Sequence, residues 1–193
     1  MLIVLPPSET KASGGTDAPM SLSFPSLDPV RTLLIDVLTA TPVDTMMREL
    51  KVPVGKRQEA EENLTLRTAP VMAAIQRYTG VLYDALDAAA LPASALSRLA
   101  VGSALFGLVR AGDLIPRYRV SGGSKLGGKT MKAWWGSAVT EVLAEQDFVV
   151  DMRSGAYQQL GPVPGAVAVR VEQAETGKVV SHFNKQYKGE LAR

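Results

Sequence analysis

Met1-Leu2-Ile3-Val4-Leu5-Pro6-Pro7-Ser8-Glu9-Thr10-Lys11 opens the chain, and its two parts differ in character. Leu2 to Leu5 is an unbroken apolar run, the pattern of a buried strand rather than a half-exposed one. Pro6-Pro7 stops it, so a loop follows. In α/β proteins, loops at the carboxyl ends of strands often hold ligands. Ser8 and Lys11 suit a phosphate or carboxylate, and Glu9 suits acid or base work. A polar turn is the plainer reading of the same residues.

Working outward, further short apolar runs read as strands: Leu99-Ala100-Val101, Phe148-Val149-Val150, Ala166 to Val171 and Lys178 to Phe183. Gln173 to Gly177 would join the last two as a hairpin. Helical spacing appears from Val30 to Ala40, with Asp28 as N-cap and Pro29 as first residue. It appears again over Thr41–Leu50, Val71–Tyr78, Val81–Ala90 and Lys129–Ala144. Residues 56–66 are highly charged and read as a solvated helix. The fold class is therefore α/β (mixed α+β): a single domain over 1–193, with a short-stranded mixed sheet flanked by helices.

Composition narrows the function. The 193 residues are 46% hydrophobic and 21% charged, ordinary globular usage. With no Cys and one His, disulfides, thiol chemistry, iron–sulfur clusters and multi-histidine metal sites are excluded, and no metal or cofactor is expected. No run approaches about 18 apolar residues, and the amino terminus lacks a signal-peptide pattern, so a cytoplasmic protein with no membrane partner is expected. Residues 1–116 carry 10 basic against 12 acidic side chains, whereas 117–193 carry 11 against 7. That C-terminal excess favours an anionic partner, although it is common on ordinary surfaces.

Several stretches carry candidate chemistry. Gly123-Ser124-Lys125-Leu126-Gly127-Gly128-Lys129-Thr130 satisfies the P-loop pattern G-x-x-x-x-G-K-[ST]. The run before it, Ile115 to Val120, holds a proline and two arginines, unlike the buried strand that a P-loop leaves. A flexible glycine loop with two lysines is the better reading, and a nucleotide triphosphatase is a third choice. Arg110 to Arg119 gathers three arginines with Asp113 and Tyr118, which suits phosphate contact and base stacking. Trp134 and Trp135 read as core. Ser154 and Tyr157 follow the strand ending at Asp151. Ser181 to Gly189 holds Lys185, Lys188 and His182, with no acid partner for the histidine visible.

Taken in order, these pieces resemble the YaaA peroxide-stress-resistance family. The likeness is carried by the opening segment and by Tyr78-Thr79-Gly80-Val81-Leu82-Tyr83, Ser103 to Gly107, Asp113 with Tyr118-Arg119, and Trp134-Trp135-Gly136. Ser154 with Tyr157, and Ser181, Lys185, Lys188-Gly189 and Arg193, complete it. The chain departs from the family pattern at Ala104, at Ala111-Gly112 and around Ser154, and family members usually continue past the position of Arg193. The resemblance implies a cytosolic peroxide-response protein that limits iron-driven damage. It also implies DNA binding through a basic cleft with a helix-hairpin-helix-like element, best placed here at Thr41 to Gln58. The expected partner is double-stranded or branched DNA, recognised by structure rather than base sequence. Anion-binding candidates are Ser8, Lys11, Arg110, Tyr118, Arg119, Lys125, Lys129, Ser154, Tyr157, Lys185, Lys188 and Arg193, with Arg117 beside them. The alternative is an enzyme acting on a phosphate-bearing or nucleotide-like small molecule at a Ser/Lys/Arg/Tyr pocket, and no catalytic constellation is assigned.

Overall fold

The computed structural model describes residues 1–193 apart from Ala174, Val179, Ser181 and His182. The strands are β1 (Leu2–Leu5), β2 (Val71–Ala73), β3 (Leu99–Ser103), β4 (Gly107–Arg110), β5 (Leu114–Pro116), β6 (Lys125–Leu126), β7 (Lys129–Thr130), β8 (Val149–Asp151) and β9 (Val167–Ala168). The helices are α1 (Asp28–Ala40), α2 (Val43–Leu50), α3 (Arg57–Glu61), α4 (Ala74–Arg77), α5 (Val81–Leu86), α6 (Ala93–Leu96), α7 (Met131–Trp135), α8 (Ala138–Ala144), α9 (Gly155–Gln158) and α10 (Asn184–Ala192). The architecture is mixed α/β.

The main sheet has the order β4-β3-β1-β8-β9. β1 is its centre. Ile3 is in register with Leu99 of β3 on one side and Val150 of β8 on the other, and both pairings are parallel. A strand flanked by parallel neighbours and covered on both faces needs apolar side chains at every position. Leu2, Val4 and Leu5 are accordingly at most 1% exposed, which accounts for the unbroken run. β4 adds antiparallel to β3 after the short connection 104–106, and β9 adds parallel to β8. The three central strands therefore deliver their carboxyl ends, at Leu5, Ser103 and Asp151, to one edge of the sheet.

Several local expectations are corrected. Val71–Ala73 is a strand, not helix: it pairs antiparallel with β5, and the helix starts only at Ala74. The run 129–144 is not one helix. Gly136 has φ 53°, a left-handed turn that separates α7 from α8. Its first two residues belong to a hairpin, β6–β7, turned by Gly127 and Gly128 at φ 56° and 75°. That hairpin also disposes of the P-loop reading, because the glycines make a strand-to-strand turn and Lys129 lies 4.9 Å over the Trp134 ring. The charged stretch 56–66 is not fully solvated, since Ala60, Asn63 and Leu66 are buried. The fourth expected strand shortens to Val167–Ala168. The Gln173 N–H donates to the Lys178 carbonyl in a hairpin-like bond, yet no named strand covers 178–183 among the described residues. Ser181 and His182 lie outside them.

Residues 12–27 have little regular structure, and two buried arginines hold them. Arg77 is 0% exposed and donates to the carbonyls of Ala12, Gly14, Pro70 and Ile115. Arg31, 2% exposed, donates to the carbonyls of Ser23, Phe24, Phe106 and Leu108 and to the Asp28 carboxylate. A guanidinium has five donors in a fixed fork, enough to satisfy several loop carbonyls at once. Among the described residues no helix is long and apolar enough to cross a membrane.

Candidate functional site

A cavity of about 970 Å³ opens at the carboxyl edge of the sheet. Six segments line it, and three of them carry candidate residues. The loop after β1 brings Pro6 to Thr10. The turn after β8 brings Met152, Arg153, Ser154 and Tyr157. Helix α10 brings Asn184, Lys185 and Lys188. Ser8, Ser154, Tyr157, Lys185 and Lys188, five of the twelve anion-binding candidates, thus meet in one recess.

Each wall is held by named contacts. The Ser8 hydroxyl accepts from the Thr79 backbone N–H at 3.1 Å and donates to the Thr10 carbonyl, fixing the loop. The Tyr83 hydroxyl donates to the Pro6 carbonyl at 2.9 Å. Arg153 and Asp151 form a buried, two-pronged pair at 2.9 and 2.8 Å under the cavity floor. Glycine at 102 lets Arg153 pass, since a Cβ there would stand 2.6 Å from its Cδ. Lys188 Nζ donates to the Met152 carbonyl at 2.9 Å, which ties α10 to the β8 exit. Burial pushes this ammonium below its ordinary pKa, and nearby Asp151 opposes the shift. The Tyr157 ring lies against Gly122, and burial raises its phenol while a bond from the Gly122 backbone opposes that rise.

Lys11 sits behind this loop. Its Nζ is 3.2 Å from the Ser8 carbonyl, 3.4 Å from the Glu9 carbonyl and 4.3 Å from the Tyr118 ring centre. Burial, then the positive charge of Arg119, pulls its ammonium down to about 7, with Glu59 and Glu9 partly opposing. Tyr118 is enclosed: its hydroxyl meets those of Tyr78 and Ser103, both at 2.7 Å, and its ring meets Phe106 edge-on. Burial pushes the Tyr78, Tyr83 and Tyr118 phenols up, so all three stay neutral.

The lowered Lys11 pKa sets a pH dependence. From about pH 7 to the unfolded value near 10.5, the unfolded chain holds a proton that the folded chain has released. Stability then rises with pH. Relative to Lys11→Met, the wild-type protein is expected to gain about 1 kcal/mol per pH unit between pH 7.5 and 9.5. Chemical denaturation at three pH values measures this, and parallel curves for the two proteins would contradict it.

Other candidates stand apart from the recess or are already paired. Arg119 bridges Glu9 and Glu59, each at 3.5 Å, so it joins the cavity through Glu9. Its backbone is clamped by Asn63, which accepts from the Arg119 N–H and donates to its carbonyl. Arg117 pairs with Glu62 and Arg193 with Asp87. Arg110 lies 5.0 Å over the Phe24 ring and donates to the Ser97 carbonyl, while Asp113 accepts from the Arg110 backbone and from Ser23. Lys125 and Lys129 ride the β6–β7 hairpin, which is tied to α2 by a bond from the Gly127 backbone N–H to Glu49. The stretch 41–58 holds α2 and the first two residues of α3, and its cations are paired: Lys56 with Glu59, and Arg57 with Asp44 and Glu61. Among the described residues no group of three or more His, Cys, Asp or Glu is placed to hold a metal ion.

Asn184, Arg153 and Arg170 line the cavity without having been singled out. The signal that could have found Arg153 is the Asp two residues before it at a strand end. Nothing local marked Asn184, which reaches the site because α10 docks on α5.

The family model described as peroxide stress protein YaaA matches residues 1–193. A UPF0246 protein of Corynebacterium efficiens is 58% identical over an alignment covering 100% of this chain and 84% of the relative. A second, from Corynebacterium glutamicum, is 57% identical with 100% and 84% covered. A third, from Streptomyces coelicolor, is 43% identical with 100% and 82% covered. Coverage from end to end, together with identity at this level, means that the chain belongs to the YaaA peroxide stress protein family.

Proposed function

We propose that this peroxide stress protein binds DNA phosphates at the cleft on the carboxyl edge of its sheet, in the cytoplasm, and so limits iron-driven oxidative damage. Residues 1–193 act here as one domain. The observation that carries the reading is the convergence of Ser8, Ser154, Lys185 and Lys188 on one recess, joined by Arg170, which also pairs with Glu172 at 2.8 Å. The acid lining it, Glu9, is engaged by Arg119. Hydroxyls and cations that converge in this way suit phosphate oxygens rather than base edges, so backbone-directed binding of duplex or branched DNA follows.

With about three cations on phosphates, the log–log salt slope for duplex DNA is expected near −3. Lys185→Glu with Arg170→Glu should weaken binding at least tenfold and flatten that slope. Fluorescence anisotropy at several salt concentrations measures both, and an unchanged affinity in the double variant would remove the cleft from the DNA site.

A second reading is an enzyme acting on a phosphate-bearing small molecule. It is favoured by Lys11, whose amine is pulled to about 7 just behind the Ser8–Glu9 loop. Such an amine serves proton transfer near neutral pH. Turnover of a nucleotide-like compound, lost in Lys11→Met, would establish it.

A further inference from the structure

We propose that residues 6–10 form a lid over the cavity, and that proton uptake by Lys11 opens it. The inference goes beyond what the cavity binds and concerns how the cavity is closed. Pro6 to Thr10 line the cavity and run from the end of β1 to the backbone bridge that joins Lys11 to Tyr78. No helix or strand covers 6–10, so separate contacts hold them. The Thr79 N–H donates to the Ser8 hydroxyl at 3.1 Å and to the Thr10 carbonyl at 3.3 Å. Tyr83 holds the Pro6 carbonyl, and Arg119 holds Glu9, whose side chain is 72% exposed. Segments fastened by a few partly exposed contacts are the ones that open locally.

Lys11 lies beneath. It is 9% exposed, and the two carbonyls that its Nζ reaches, those of Ser8 and Glu9, belong to the lid. No carboxylate pairs with it among the described residues, and a buried ammonium without an acid is costly. The charges that face it are Glu9 in the lid, Glu59 on α3, and Arg117 and Arg119 after β5. Both acids are already engaged by Arg119. The Tyr118 and Tyr78 rings, 4.3 and 5.6 Å away, have neutral phenols; their faces attract an ammonium and moderate the cost without a counter-charge. The closed lid therefore favours the free amine, in keeping with a Lys11 pKa drawn down to about 7. Once the lid lifts, water reaches Nζ and the ammonium becomes the favoured form. Closure thus expels a proton. Between the closed and open pKa values, the open fraction falls about tenfold for each unit that pH rises.

Amide hydrogen exchange of the whole, ligand-free chain, followed by NMR from pH 6.5 to 9, tests this. Both acceptors of the Thr79 N–H are on the lid, so its protection factor reads the ratio of closed to open. That factor is expected to rise at least tenfold between pH 7 and pH 9 in the wild type and to stay constant in Lys11→Met. It should also lie at least tenfold below that of the Met152 N–H, which is bonded to the Val4 carbonyl inside the sheet. Arg119→Gln removes a facing positive charge. It should move the onset of the rise to higher pH, and it is the second variant should Lys11→Met fail to fold. A pH-independent factor in the wild type, or a rise that Lys11→Met retains, would overturn the proposal. So would a Thr79 N–H that exchanges as slowly as that of Met152, because the loop would then open only with the whole molecule. None of these results needs a ligand, so the DNA reading stands or falls separately.

Discussion

Arg77→Leu is expected to lower the melting temperature by about 10–20 °C, and much of the variant should be insoluble on expression. The guanidinium satisfies four carbonyls, those of Ala12, Gly14, Pro70 and Ile115, from a fully buried position. Leucine fills part of the volume and donates to none of them. Each buried carbonyl left without a partner costs about 1–3 kcal/mol. The sum, about 4–6 kcal/mol after partial rehydration of the loop, rivals the whole stability of an ordinary domain. At this chain length each kcal/mol is worth about 2–4 °C. The competing effect is the relief of burying a charge that has no acid partner among the described residues. That relief is smaller here, because replacing one group leaves its partners behind. Arg77→Lys should fall between the two, since an ammonium offers three donors from a single point. Thermal unfolding by circular dichroism measures the series, and a Leu variant melting within a few degrees of wild type would contradict the account.

Gly189→Ala is expected to lower the melting temperature by about 2–8 °C and to weaken every ligand of the cavity at least tenfold. Propensity alone predicts the opposite, because alanine favours a helix over glycine by about 1 kcal/mol. Packing decides the sign. A Cβ at 189 would stand 2.3 Å from the Leu82 carbonyl oxygen, 2.8 Å from Ala85 Cβ and 3.0 Å from the Leu86 nitrogen. Two of these are backbone atoms of α5, so no side-chain rotation clears the clash and α10 must lift. Overpacking of this kind costs about 1–3 kcal/mol. Asn184, Lys185 and Lys188 move with the helix, which couples the stability loss to binding. Gly55→Ala is the control, with nothing within 4 Å of its new methyl group. Equal melting temperatures for Gly189→Ala and wild type would show that α10 is not seated as closely as described.

Much of the sheet was legible because its central strands are buried on both faces. Leu2–Leu5, Leu99–Val101 and Phe148–Val150 announce themselves as unbroken apolar runs, and the rule that strand exits hold ligands led to Ser8, Ser154 and Tyr157. What stayed hidden depended on distant partners. Val71–Ala73 is three residues long and extends only because Leu114–Pro116 lies alongside. Met131 to Leu143 keeps helical spacing across Gly136, and nothing in that spacing shows the left-handed turn that divides it. The basic residues after Arg110 looked alike in sequence. Tertiary pairing with Glu9, Glu59, Glu62 and Asp87 separated them from Lys185.

The central place of β1 has a consequence for how the protein is made. Its first neighbour, β3, is 99–103, and its second, β8, is 149–151. Synthesis at about 5–20 residues per second leaves the apolar run Leu2–Leu5 without its second lateral partner for about 10–30 s after it leaves the ribosome. Non-local parallel pairing is also slow to form. The residues of β1 are therefore made long before they are enclosed, and during that interval they are what a chaperone would hold.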